Sequence, residues 1–251
     1  MLFRSETRNG HVAVSRDPAL ADVRITAEIR CGGATQEEAD ARAKGAKLVA
    51  ERTADGSLGV HVDFPPLAGG GTRHGADSAN IDVRVPRVDG MRLSATNGHV
   101  QVAGLGGPLM ARSTNGGIRI DGHAGPVQAT TTNGAIQAIG IGLPAELGTS
   151  NGAVHAVVSE GATGAVDLYT SNGSVQLDLP ASWAGHVDAA TTNGRVTMEG
   201  AGRATAVTSD RDHGSMELPG SAPAKATVRT SNGSVRVRAA APPTTPATGT
   251  K

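Results

Sequence analysis

The densest set of groups able to bind a metal or move a proton is the run SDRDHG, Ser209 to Gly214, which holds Asp210, Asp212 and His213. Carboxylate and imidazole together make a sound donor set for a transition metal, so these three are the metal candidates. The competing reading is a turn. Other segments of the chain carry Asn where this one carries His213, and His shares with Asn a tolerance for unusual backbone angles; the turn is favoured. Ser, His and Asp are all present, but no Gly-x-Ser-x-Gly elbow presents a nucleophile. Asp121, Asp178 and Glu199 share one repeat position, yet Val157 interrupts the column. That does not assemble the facing carboxylates that glycoside hydrolysis uses. His11, His61, His74, His99, His123, His155 and His186 fall at different offsets and read as solvated singles. No catalytic residue and no cofactor site is expected.

Two aromatic residues are available for stacking on a ligand, Tyr169 and Trp183. Trp183, in LPASWAG, is read as a lid on the core or as a contact for a partner. Cys31 is the only cysteine, so no intramolecular disulfide forms, and it reads as an inert residue at a strand end.

What must position these groups is a repeat. Asn-Gly recurs at Asn97-Gly98, Asn115-Gly116, Asn133-Gly134, Asn151-Gly152, Asn172-Gly173, Asn193-Gly194 and Asn232-Gly233, with His213-Gly214 standing in the one wide gap. The spacings run 18, 18, 18, 21, 21, 20 and 19 residues, a period that marks a repeat architecture. Three places after each Asn stand Val100, Ile118, Ile136, Val154, Val175, Val196, Met216 and Val235; five places after stand further apolar residues, and the position between is polar. Alternation of this kind is a half-buried strand. Apolar residues also recur four and six places before the Asn, with Ser209 the one departure, so each unit reads strand, Asn-Gly corner, strand, and Gly/Pro-rich return.

Asn-Gly between alternating strands is also the strongest hairpin signal, because a type I′ turn needs φ > 0 at both residues. An antiparallel meander therefore stays open. Repetition favours a β-solenoid. One 18-residue unit costs roughly 18–36 kcal/mol of backbone entropy, while about four inward aliphatic side chains return about 6–12 kcal/mol. A unit needs neighbours above and below, and stacking explains why each position keeps its residue class. The expected fold is mainly β, a parallel solenoid of about eight turns of 18–21 residues. The Asn column is read as an amide ladder that also accepts left-handed geometry, with the Gly avoiding a Cβ clash. The hydroxyls just before it, Thr96, Thr114, Thr132, Ser150, Ser171, Thr192 and Ser231, are read as a ladder steadying the corner rather than as an ice-binding array.

Residues 1–88 break the period. Strands over FRSETRNGHVAVS and DVRITAEIRC, a helix opened by Thr35 and Glu38, and a hairpin about Ala54-Asp55-Gly56 suggest a small α+β unit capping the stack. The repeat domain is placed at 89–239 and a disordered Pro/Thr-rich tail at 240–251. Arg229, Arg236 and Arg238 in the last unit read as charges that discourage end-to-end stacking.

Lys+Arg and Asp+Glu both number 23, which removes the positive field that non-specific nucleic-acid binding needs. Aromatics make up 2% of residues, in keeping with a narrow aliphatic core. No signal peptide and no stretch long enough to span a membrane is visible. The chain is cytoplasmic by default, or exported if a leader has been removed.

The TSNGxVxV phrase, the return DLPASWAGHVDAATTNG, and an N-terminal RNGHVAV strand followed by QEEADARA resemble one bacterial family, a β-strand-repeat domain of unknown function called the putative-adhesin family. The resemblance spans roughly residues 5–239. It implies a β-solenoid acting as a surface or envelope scaffold for adhesion or protein interaction, and it brings no catalytic residues. A self-assembling cytoplasmic scaffold of the bactofilin type, associating through its ends, is the alternative; a solenoid carbohydrate-active enzyme is a third. The expected partner is an unidentified protein or cell-surface molecule.

Overall fold

Alternating inward and outward side chains produce 22 strands and one helix among the residues described in this computed structural model, which are 2–54, 56–67, 77–221 and 223–241. First along the chain come β1 (Leu2–Asn9), β2 (Val12–Arg16), β3 (Arg24–Arg30), helix α1 (Gln36–Gly45), β4 (Lys47–Arg52), β5 (Leu58–Asp63) and β6 (Ser78–Val85). The repeat opens with β7 (Gly90–Asn97), β8 (Val100–Ala103), β9 (Leu109–Ser113), β10 (Ile118–Asp121), β11 (Val127–Asn133) and β12 (Ile136–Ile141). It continues as β13 (Ala145–Asn151), β14 (Val154–Val158), β15 (Val166–Asn172), β16 (Val175–Leu179), β17 (Gly185–Asn193) and β18 (Val196–Glu199). Last are β19 (Ala206–Ser209), β20 (His213–Leu218), β21 (Ala224–Asn232) and β22 (Val235–Ala239).

These strands form two sheets rich in parallel pairs. The first runs β19-β20-β17-β21-β15-β13-β11-β9-β7-β1-β5-β4 and the second β18-β22-β16-β14-β12-β10-β8-β2-β6-β3. Each Asn-Gly corner carries the chain from one sheet to the other, and corners stack in register, Asn133 on Asn151 and Asn151 on Asn172. The antiparallel meander is thereby excluded, and the fold is of the solenoid type. Between the sheets lies one aliphatic core built from the columns read in the sequence, for example Leu93, Ala111, Ala129, Leu147 and Leu168.

Order within the stack departs from order along the chain. The rung with corner Asn232 sits between those of Asn172 and Asn193, because β21 pairs with both β15 and β17. The segment expected to form a unit around His213-Gly214 does not make a corner. Instead β19 and β20 form an antiparallel hairpin, and β20 runs antiparallel along β17. Its upstream strand Ala206–Ser209 is wholly exposed and offers the core nothing to bury, so the segment closes the end of the first sheet rather than adding a rung. As a result β22 is internal, and Arg236 and Arg238 pair with Glu199 on β18 instead of guarding an end.

At the other end, β1 and β2 are a rung in their own right. Asn9 pairs in register with Asn97, and Val12 with Val100. The first rung therefore lies on the N-terminal side of the division expected at residue 88. Beyond it β5 and β6 extend the two sheets in parallel, and β4 and β3 finish them as antiparallel edges. Helix α1 starts as expected: Thr35 Oγ1 accepts from the Glu38 N–H at 3.2 Å, though Glu38 reaches back to the Ala34 N–H at 2.7 Å. Arg42 ties the helix to the loops beside it. Its guanidinium meets Asp77 at 2.6 and 2.8 Å and donates to the carbonyls of Pro65 and Gly32, with both charged side chains buried. Within the expected tail, only Ala240 and Ala241 are among the described residues.

The corners differ from the expected geometry in an instructive way. Among the described residues the only non-glycine with positive φ is Ala201, so no corner Asn is left-handed. Gly98, Gly116, Gly134 and Gly194 are not left-handed either. Glycine is needed because rungs touch there. A Cβ on Gly134 would stand 2.3 Å from the Gly116 carbonyl oxygen, and one on Gly116 would stand 1.9 Å from that of Gly98. The same carbonyl accepts a buried hydroxyl: Thr131 Oγ1 donates to Gly116 O at 2.8 Å, Thr149 to Gly134 O at 3.0 Å and Thr170 to Gly152 O at 2.9 Å. The structural hydroxyls thus lie two places before the Asn, facing in, and the column one place before it is exposed.

Gly134→Val should therefore destabilise the protein by about 2 kcal/mol or more, since backbone on both sides prevents relief of the overlap. Urea unfolding of the variant checks this; an unchanged midpoint would mean that the corners are not in contact.

Candidate functional site

The residues singled out for chemistry are dispersed. Asp210, Asp212 and His213 sit at the β19–β20 hairpin turn, where the Asp210 N–H donates to the His213 carbonyl at 2.8 Å and the Asp212 carbonyl accepts from the Thr191 N–H at 2.8 Å. Among the described residues no group of three His, Cys, Asp or Glu side chains is arranged to hold a metal. Asp121 pairs with Arg119 at 2.7 Å, Asp178 with His155 at 2.9 Å and Glu199 with Arg238 at 3.1 Å. That column is a series of separate polar contacts, and the exposed arginine–carboxylate pairs among them are worth little in water.

Trp183 corrects its reading as a partner contact. It is 1% exposed and its indole N–H reaches the Gly164 carbonyl at 3.3 Å. Arg203 holds the same return loop, donating to the carbonyls of Trp183 at 2.7 Å and Pro180 at 3.1 Å. The ring is a plug in the core.

Histidines are less solitary than their offsets suggest. His186 Nδ1 meets Glu217 at 2.9 Å and Nε2 meets Asp188 at 2.9 Å, which links β20 to β17. Glu217 first, then Asp188, pushes the His186 pKa up. His123 is 1% exposed, bonded through Nε2 to the Gly107 carbonyl at 2.8 Å, with Nδ1 buried and unpartnered. Burial pushes its pKa down from the ordinary 6.5. His74 lies outside the described residues. Cys31, just past β3, has its thiol pushed up by burial and by Asp77, the opposite of what a reactive thiolate needs.

The feature that sequence reading missed is a groove of about 510 Å³ on the outer side of the first sheet, crossing several rungs. Its floor is the entry of each strand, including Met91, Leu109, Val127 and Ala145. One wall is a proline column, Pro108, Pro126 and Pro144. Proline has no N–H to give, and at this position only its carbonyl is used: Leu109 N donates to Pro126 O and Val127 N to Pro144 O, both at 2.9 Å. The other wall is an outward column, Arg92, Met110, Gln128, Glu146 and Asp167. Gln128 donates to Glu146 at 3.0 Å, and Glu146 pairs in register with Asp167.

The groove is apolar in the middle, cationic at Arg92 and anionic at Glu146 and Asp167. Beside the acidic end, Tyr169 is 39% exposed and its ring covers Gly148, where a Cβ would come within 1.9 Å of the ring. Glu146 and Asp167 are adjacent carboxylates, but both are exposed, whereas acid–base hydrolysis relies on one carboxyl held in apolar surroundings. The lining carries no hydroxyl, thiol or imidazole group. The arrangement sets an apolar strip between a cationic and an anionic end along the rungs. The prolines were legible in the returns GLGGP, GHAGP and GIGLP, had their stacking been followed.

The family described as Toastrack DUF4097 matches residues 74–238. No curated protein matches the chain. A putative cell adhesion protein from Clostridium sporogenes is 10% identical over 95% of this chain and 92% of its own, with a TM-score of 0.37. A putative adhesin from Bacteroides fragilis is 9% identical over 94% of this chain and 91% of its own, with a TM-score of 0.36.

The two titrating histidines act in opposite directions. Burial makes His123 harder to protonate in the fold than in the unfolded chain, which takes a proton below about pH 6.5. Stability from this site is therefore lost as pH falls through that value. The His186 contribution is present below its ordinary value and lost as pH rises through the raised one. The stability difference between His123→Leu and wild type should grow in favour of the variant between about pH 7.5 and 5. Urea midpoints across that range measure it, and a pH-independent difference would contradict a buried neutral ring.

Proposed function

Since the chain belongs to the Toastrack DUF4097 family, we propose that it is a non-catalytic β-solenoid scaffold of eight coils, counted by its Asn-Gly corners, that mediates adhesion or protein interaction in a bacterial envelope context. The observation that carries this reading is the groove with its proline column, its apolar floor and its opposite charges at the two ends. A rigid stack holds those groups at a fixed repeat of about 4.8 Å, so a bound segment meets them already in place, and binding costs little ordering on the scaffold side. No helix among the described residues is long and apolar enough to cross a membrane. The bactofilin-type alternative draws on the unpaired outer edges of β4 and β19.

Capture from the native host, with wild type and Met110→Glu as baits, tests the scaffold reading. Met110 is half-buried on the outer face, so the variant should keep its melting temperature. It should also lose the partners that wild type retains. Retention of the same partners by both baits would remove the groove from the account, and regular filaments in negative stain would favour the alternative.

A further inference from the structure

The end of the stack formed by β3 and β4 carries a pattern that neither the groove nor the family accounts for. Both strands are antiparallel edges, one in each sheet. On β4, Ala50 stands opposite Val60 of the core, which sends Leu48, Ala50 and Arg52 to the inward face and Lys47, Val49 and Glu51 outward. Leu48 is 37% exposed although it points along the core side. On β3, Ile25 and Ala27 stand opposite the buried Val83 and Ile81, and all three apolar residues of the strand remain half-exposed. Among the described residues, the apolar side of these two edge strands is left partly exposed.

Edges of this kind are normally protected by charge, and both strands do carry charges. Their spacing is specific, however. If two copies of β4 pair antiparallel about Val49, each Lys47 faces the other copy's Glu51, and each Leu48 faces Ala50. If two copies of β3 pair antiparallel about Thr26, each Arg24 faces the other copy's Glu28, and each Ile25 faces Ala27. Opposite charges directly across an antiparallel pair are favourable, and like charges there are not.

A single twofold axis satisfies both pairings. Val49 stands opposite His61, one residue beyond Val60, which pairs with Ser5; the axis in the first sheet thus falls in line with Glu6, three places before Asn9. Thr26 stands opposite Asp82, which pairs with Ala13, three places after Gly10. Glu6 and Ala13 are equidistant from the Asn9-Gly10 corner, so the two points face each other across the core. We propose that this end is an isologous interface between two copies of the chain, in which β4 pairs with β4 and β3 with β3 and both sheets run on across the dyad. The contact closes on itself, as twofold interfaces do, and leaves the groove free.

Sedimentation equilibrium of the full chain tests this with charge swaps. Wild type should dimerise. Lys47→Glu, which sets four acidic groups across the dyad, should weaken the dimer at least tenfold, and so should Arg24→Glu. The double variant Lys47→Glu/Glu51→Lys should restore it, as should Arg24→Glu/Glu28→Arg. All four positions are exposed, so circular dichroism and melting should match wild type. A monomer at every concentration would overturn the proposal and leave this edge to another protein's strand. A dimer indifferent to the single reversals, or one not restored by the swaps, would also overturn it.

Discussion

Contact between consecutive Asn-Gly corners is the constraint on which the rest of the structure depends. Asn97 donates its amide to Asn9 at 2.7 Å, Asn115 to Asn97 at 2.7 Å, Asn133 to Asn115 at 2.8 Å and Asn151 to Asn133 at 2.8 Å. The chain of bonds continues through Asn172, Asn232 and Asn193 at 2.9 Å each. At the first rung Asn9 donates to the Asp77 carbonyl at 2.7 Å. Every amide from Asn9 to Asn232 both donates and accepts, and Asn193 ends the ladder as a donor, so removing an internal member breaks the bonds to two neighbouring rungs. Glycine lets the backbones approach, and the inward Thr or Ser hydroxyl occupies the carbonyl that results. Three residue types within four positions thus solve one problem, how to turn a strand through a corner while the rungs stay in contact.

From that corner the placement of everything else follows. Fixed spacing brings aliphatic residues of neighbouring rungs onto one another, which is why a narrow core of Ala, Val, Ile and Leu suffices with few rings. It aligns the prolines of the returns into a wall and the outward residues into another, which makes the groove. It also leaves the two ends as the places where the pattern must stop. A hairpin closes one end, and two antiparallel strands with complementary charges form the other.

Much of this was legible in the sequence, because a side chain that packs on its own equivalent repeats in type. The inward columns, the strand–corner–strand unit, the amide ladder and the parallel stack could all be read from offsets. Order within the stack could not. The rungs of Asn193 and Asn232 present similar inward faces, so nothing local says which one lies against Asn172. His213 misled because Met216 and Leu218 fall at the offsets of a true rung, while the strand before it has nothing to bury. Asn9-Gly10 was hidden because the next Asn-Gly, Asn97-Gly98, lies 88 positions further on. The groove was only half legible: its prolines recur in the returns, while its other wall joins outward positions that differ in type from unit to unit. Burial of His123 and Trp183 depends on how the return loops fold, and neither residue recurs at its position in the other returns.

Stacking order is the central claim most open to direct measurement. With Cys31 replaced by Ser, a Ser171→Cys/Ser231→Cys pair places thiols on rungs whose corners Asn172 and Asn232 are adjacent, about 4.8 Å apart and within reach of a disulfide. A Ser171→Cys/Thr192→Cys pair joins units that are consecutive in sequence but separated in space by the Asn232 rung, at about twice that spacing. Mild oxidation should cross-link the first pair and leave the second reduced. Cross-linking of the second pair and not the first would mean that the rungs follow sequence order, and the stack described here would be wrong.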